Sequence, residues 1–153
     1  FEIASGLLHG HAVSIGMGFG AYVSYRHEWI SKADFERIMN LISSFGLSLW
    51  NDILLDRDLM WAAQEKIVQK RGNNLVAPLP KGAIGQCGYL NTMTQDDLIM
   101  AVSEYQAICA EYPRAGGGID SLCSDVGLED PSTVAHHTPA EAEVLSSIEE
   151  AIA

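Results

Sequence analysis

Leu8-His9-Gly10-His11-Ala12-Val13-Ser14-Ile15-Gly16-Met17 is the stretch from which the rest of the chain is read. It joins two histidines to a glycine-rich run, and the pattern around it extends from about Leu7 to Trp29 as one long helix. Gly10, Gly16, Gly18 and Gly20 each cost helix propensity, so something must pack closely on that backbone. Two partners would account for them: another element against the flat Gly16-xxx-Gly20 face, or a ligand approaching the backbone. His9 and His11 stand two apart, which on a helix turns them about 200° from each other. Regular geometry therefore lets at most one of them face a metal. A catalytic zinc needs about three protein ligands and an open position. His27, His136 and His137 offer no HExxH-type spacing. Spacing alone leaves two readings of the histidines open, a metal ligand or a helix-capping or surface residue.

Working outward, three more helices carry start and stop signals. Ser31 is an N-cap with Asp34 at N3, and Ile30 and Phe35 occupy the hydrophobic-staple positions. Phe35, Ile38, Ile42 and Phe45 repeat at helical spacing until Gly46 stops the run. A third helix begins at Asp56 and ends before Gly72, with Leu59, Ala63 and Ile67 on one face. Thr94 caps a fourth, with Asp97 at N3, Met93 and Leu98 as staple, and Leu98, Val102, Tyr105 and Cys109 as apolar stripe. Between the last two, Pro78 and Pro80 forbid helix. Leu75 to Leu79 and Ile84 to Leu90 read there as two short strands around Pro80-Lys81-Gly82. The expected class is mainly α, with a short β-hairpin near 75–90. Residues 1–112 form a helical domain, incomplete at its N-terminus. Pro113 to Gly118 reads as a hinge or loop, and 113–153 as an acidic tail with a helix over 138–152. Leu145, Ile148 and Ile152 give that helix a narrow apolar face.

Composition narrows the function classes. The chain has 153 residues, 48% of them hydrophobic and 19% charged, enough for one real core. A net charge of −11 argues against nucleic acid or anionic lipid as partner. Residues 113–153 hold eight acids and one base, so seven of those charges sit in the tail and four in the body. No apolar run is long enough to span a bilayer. Cys87, Cys109 and Cys123 match no CxxC pattern and read as reduced thiols, which favours a cytoplasmic protein. Organelle targeting upstream stays open. The chain opens inside an apparently structured segment, Phe1-Glu2-Ile3-Ala4, and is expected to be a piece of a longer protein.

Lys70-Arg71-Gly72-Asn73-Asn74 is the second candidate cluster. Cations at a helix C-terminus satisfy the macrodipole, and the same pair suits a phosphate. There is no Walker A or dinucleotide-binding glycine pattern and no GxSxG elbow.

His9-Gly10-x-Ala12-Val13-x-Ile15-Gly16-Met17 resembles the HGxAVxxGM segment of 3-dehydroquinate synthase and the wider sugar phosphate cyclase superfamily. Lys70-Arg71-Gly72-Asn73, followed by Ala83-Ile84-Gly85, is similar to a second family segment at the right separation. The resemblance covers roughly residues 1–112. Within the superfamily, Glu2 to His11, Gly18 to Tyr22, Phe45 to Trp50, Ala77 to Pro80 and Cys87-Gly88-Tyr89 look most like the demethyl-4-deoxygadusol synthase branch. Dehydroquinate synthases usually carry Glu where this chain has His11.

The resemblance implies the C-terminal part of an NAD- and metal-dependent cyclase. Such an enzyme takes sedoheptulose 7-phosphate to demethyl-4-deoxygadusol with phosphate elimination, in mycosporine biosynthesis. NAD belongs to an N-terminal domain outside this chain. The metal is Zn2+ or another divalent ion such as Co2+. His9 matches a metal ligand. Lys70, or Arg71 under a one-residue shift, matches the substrate-binding lysine. His11 has no family role to carry over, so local hydrogen bonding is expected of it. The other metal ligands lie upstream, so the fragment alone is expected to be inactive. A homodimer is implied as well. Competing expectations are 2-epi-5-epi-valiolone synthase, 3-dehydroquinate synthase, and a non-catalytic helical interaction module derived from the fold.

Overall fold

The computed structural model describes residues 5–70, 78–82 and 85–129. Four helices follow in order: α1 His9–Arg26, α2 Lys32–Ser44, α3 Arg57–Lys70 and α4 Gln95–Cys109. A 3-10 turn at Asp52–Leu55 precedes α3, and further 3-10 turns lie at Pro113–Gly116 and Cys123–Val126. β1 (Leu79–Pro80) and β2 (Cys87–Gly88) pair antiparallel, Leu79 opposite Gly88 and Pro80 opposite Cys87. The class is therefore mainly α with a small hairpin, as expected.

α1 is the central element, packed against α2, α4 and β1. Its four glycines cost about 1 kcal/mol each relative to alanine. Burial outweighs that: Ile15, Tyr22 and Val23 are all nearly inaccessible, and each such side chain contributes roughly 1.5–3 kcal/mol. Gly18 is where close approach is needed, because a Cβ there would meet the Tyr105 hydroxyl of α4. Gly10 and Gly16 face open space. Helix packing therefore explains only part of the glycine pattern.

α2 begins as its sequence signals. The Asp34 N–H donates to Ser31 Oγ at 3.1 Å, and the Ser31 hydroxyl donates to Asp34 Oδ2 at 2.7 Å. It ends at Gly46, whose φ of 69° is left-handed. Gly46 N–H donates to Ser43 O and Leu47 N–H to Ile42 O, a Schellman arrangement. Its buried residues are Phe35, Met39 and Ile42. Phe45 is 73% exposed, so the expected stripe does not continue to it. The C-terminal turn rotates Phe45 out just as the helix stops.

α4 has a full capping box at Thr94 and Asp97, and buries Leu98, Ala101, Val102, Tyr105 and Cys109. The Tyr105 hydroxyl donates to Leu49 O at 3.0 Å. Burial pushes the Cys109 thiol up to about 11, which leaves it unreactive. On the other flank, Tyr22 of α1 donates to Glu104 of α4, which also pairs with Arg26 at 3.2 Å.

Three expectations change. Among the described residues the hairpin strands are two residues each, residues 75–77 and 84 of the expected strands lying outside them, and Pro80 lies in β1 rather than in the turn. Its missing N–H costs nothing there, because among the described residues β1 is an edge strand paired only with β2. The 3-10 turn at Asp52–Leu55, capped by Asn51 Oδ1 accepting from the Ile53 N–H, has no counterpart in the sequence reading. The segment after Tyr112, read as a hinge or loop, is docked on the body. Leu49 and Trp50 N–H groups both donate to Gly116 O, at 2.7 and 3.0 Å, and Ile119 N–H donates to Gly46 O at 2.8 Å. The expected helix over 138–152 lies outside the described residues.

Candidate functional site

His9 opens α1 and is exposed. With Gly10, Val13, Gly16 and Met17 it forms one exposed face of the helix, spaced by three and four residues. Val13 is 44% and Met17 58% exposed, and among the described residues nothing lies within 4 Å of a Cβ built on Gly10 or Gly16. Beside this face a largely apolar cavity of about 470 Å3 runs between α1, α3 and the hairpin, lined among others by Gly16, Met17, Met60, Gln64 and Leu79. Gln64 Oε1 is buried there with no hydrogen-bond partner among the described residues.

His11 points the other way and is 8% exposed. The Ser48 N–H donates to His11 Nδ1 at 3.2 Å, and the Ser48 hydroxyl lies 2.9 Å from the same nitrogen. Nδ1 is thus the acceptor and the ring proton belongs on Nε2. Desolvation lowers the His11 pKa, opposed by the charges of Asp120 and Asp125. The Ser14 hydroxyl contacts both Ser48 O (2.7 Å) and His11 O (2.9 Å), and Gly118 N–H donates to Ser48 Oγ at 3.0 Å. The local hydrogen-bonding role expected of His11 is what the geometry shows. The two histidines take opposite faces of α1, as their spacing requires.

Lys70 is the last residue of α3. Arg71, Asn73, Asn74, His136 and His137 lie outside the described residues. His27 caps the C-terminus of α1, 6.3 Å from the Trp29 ring, and is remote in sequence from His9. Among the described residues no group of three His, Cys, Asp or Glu is placed to hold a metal ion. His9 suits a borderline divalent cation as one imidazole ligand, and the described residues do not complete a set around it. Ser48 and Gly118 were missed by the sequence reading. Gly118 had a signal, the run Gly116-Gly117-Gly118, but Ser48 had none.

Comparison with known proteins gives the class. Residues 1–68 match the family described as 3-dehydroquinate synthase C-terminal. The relatives are sugar phosphate cyclases. A demethyl-4-deoxygadusol synthase from Trichormus variabilis is 39% identical over 114 residues, 74% of this chain and 27% of the relative. A 2-epi-5-epi-valiolone synthase from Streptomyces albus is 31% identical over 72% of this chain and 27% of its own length. A 3-dehydroquinate synthase from Thermodesulfovibrio yellowstonii is 41% identical over 56 residues, 37% of this chain and 16% of the relative. The chain thus spans about a quarter or less of the relatives it matches. No described helix is long and apolar enough to cross a membrane.

Proposed function

We propose that this chain is the helical, substrate-facing part of an NAD- and divalent-metal-dependent cyclase. Its reaction converts sedoheptulose 7-phosphate to demethyl-4-deoxygadusol with loss of phosphate. The observation that carries the reading is the open face of α1. The HG-motif histidine stands exposed beside two glycines whose Cβ positions meet nothing among the described residues. A helix stabilised only by its own packing has no use for glycine at those positions. The 39% identity to a demethyl-4-deoxygadusol synthase runs over 74% of the chain, against 31% over 72% and 41% over only 37% for the others, which favours that branch.

In this reading His9 supplies one ligand to Zn2+ or Co2+, and the remaining ligands come from the rest of the protein. Bound there, the metal supplies Lewis-acid and template chemistry for the sugar hydroxyls. Lys70 or Arg71 meets the phosphate, where a fixed cation offsets its charge. NAD supplies transient oxidation of a substrate hydroxyl from a separate nucleotide-binding domain. The whole enzyme is a homodimer on the same resemblance, and its reduced cysteines favour the cytoplasm.

The test is an assay of the full-length protein with NAD and Zn2+ on two substrates, sedoheptulose 7-phosphate and the heptulosonate phosphate of the shikimate pathway. Phosphate release from the first, with a product absorbing in the near ultraviolet, is expected. Release from the first without that absorbance points to a valiolone-type synthase, and release from the second alone to a dehydroquinate synthase. No turnover of either makes the chain a non-catalytic interaction module. Residues 1–153 by themselves are expected to be inactive, since His9 lacks a set of co-ligands among the described residues.

A further inference from the structure

The start of α1 lacks the local devices that fix α2 and α4. Leu8 at its N-cap makes no side-chain cap bond, and no acidic residue stands in the first turn. A helix start leaves its first N–H groups without partners inside the helix, so its position must be set from elsewhere. The chain just before it is held by residues 121–123. Leu8 N–H donates to Ser121 O and Cys123 N–H to Gly6 O, both at 2.9 Å, and Leu7 pairs with Leu122. Within the first turn His11 ties its side chain to the rest of the fold. Its Nδ1 is held by Ser48, and Ser48 is held in turn by Gly118 and Ser14. One buried node therefore joins the turn that carries His9, the loop after α2, and the segment after α4.

We propose that His11 and Ser48 are positioning residues for His9. Their hydrogen bond fixes the rotation and height of the first turn of α1, and with it the point at which the His9 imidazole is presented. This rests on the reading of His9 as a metal ligand. Neither residue reaches the metal itself, since His11 lies about 200° round the helix from His9 and its ring is engaged in the core. Ligand sets tolerate errors of only about 0.5 Å, so a turn free to rotate loses affinity.

The experiment uses the full-length protein and three variants, His11→Leu, Ser48→Ala and His11→Asn. The Asn Oδ1 can take the place of Nδ1 as acceptor, while Leu removes the acceptor and Ala the hydroxyl. Co2+ affinity is read from its visible absorption, and amide hydrogen exchange is followed at His11 and Ala12, whose N–H groups donate to Leu8 O. We expect His11→Leu and Ser48→Ala to weaken Co2+ binding about tenfold or more, and His11→Asn to stay within about threefold of wild type. Exchange at His11 and Ala12 should quicken in the Leu and Ala variants while α4 amides stay unchanged. Should His11→Leu fail to fold, Ser48→Ala against His11→Asn decides. Folded variants with unaltered Co2+ affinity overturn the proposal while leaving the metal reading standing, as does an Asn variant as poor as Leu. A wild-type protein that binds no Co2+ overturns the reading of His9 and this proposal with it.

Discussion

α4 and α1 begin in opposite ways. At α4, Thr94 Oγ1 accepts from the Asp97 N–H at 3.2 Å and Asp97 Oδ2 accepts from the Thr94 N–H at 3.1 Å. Everything needed lies within four residues. At α1 the corresponding work is spread over Gly6–Leu8, His11, Ser48, Gly118 and residues 121–123, with Gly6 and Cys123 bonded across 117 positions. A local start survives damage elsewhere. A start assembled from distant segments is sensitive to every one of them, and in this protein it is the one that carries the candidate ligand His9.

Breaking the distant node should do most harm. A Cβ on Gly118 would meet His11 Nδ1, with His11 Cε1 and Ser48 Oγ both at 2.5 Å. Gly118→Ala should therefore destabilise by about 3 kcal/mol, from overpacking plus disturbed buried hydrogen bonds. Chemical denaturation measures it. A loss below about 1 kcal/mol would mean that the node gives way easily and does not fix α1.

Breaking the local start is expected to be milder. Thr94→Ala should cost about 1 kcal/mol, with exchange quickening in the first turn of α4 and not in α1. Any matching change in α1 would show that the two starts are coupled.

A third variant changes sign. Gly16 sits in mid-helix with nothing within 4 Å of its Cβ position, so Gly16→Ala should stabilise the fold by about 0.5–1 kcal/mol. Gly18→Ala, against the Tyr105 hydroxyl, is the control that should not. If Gly16→Ala is destabilising instead, that face is packed rather than open.

The smallest effect is a pH dependence. The Asp97 carboxyl is held below its ordinary value, chiefly by the Thr94 hydroxyl bond and then by the Thr94 backbone. The folded value is depressed, so this stabilisation is present above the unfolded value of about 3.9 and fades as pH falls through the folded one. Melting curves of wild type and Asp97→Asn should therefore converge below about pH 4. A gap that stays constant with pH would remove the carboxylate from the cap.

The same contrast sorts what was readable. Ser31, Gly46, Thr94 and the Leu98 to Cys109 stripe announced their roles because capping and helical periodicity involve residues at most four or so apart. The HG motif marked His9, and the helical angle between positions 9 and 11 already separated the two histidines. The docking of Gly116 on Leu49 and Trp50 was not readable, and a glycine run reads equally as a hinge or a loop. The outward turn of Phe45 was not readable either, since spacing alone does not say where the neighbouring elements end.

By itself the sequence determined the four described helices and the caps of α2 and α4, which rest on short-range geometry, while the candidate ligand came from the resemblance of the HG segment to a known family. Only the tertiary structure decided which glycines are packed and which are open, and that His11 belongs to the core. It alone brought Ser48 and Gly118 to the turn that carries His9. Those outcomes depend on contacts between residues tens of positions apart, and such contacts impose no period on the sequence between them.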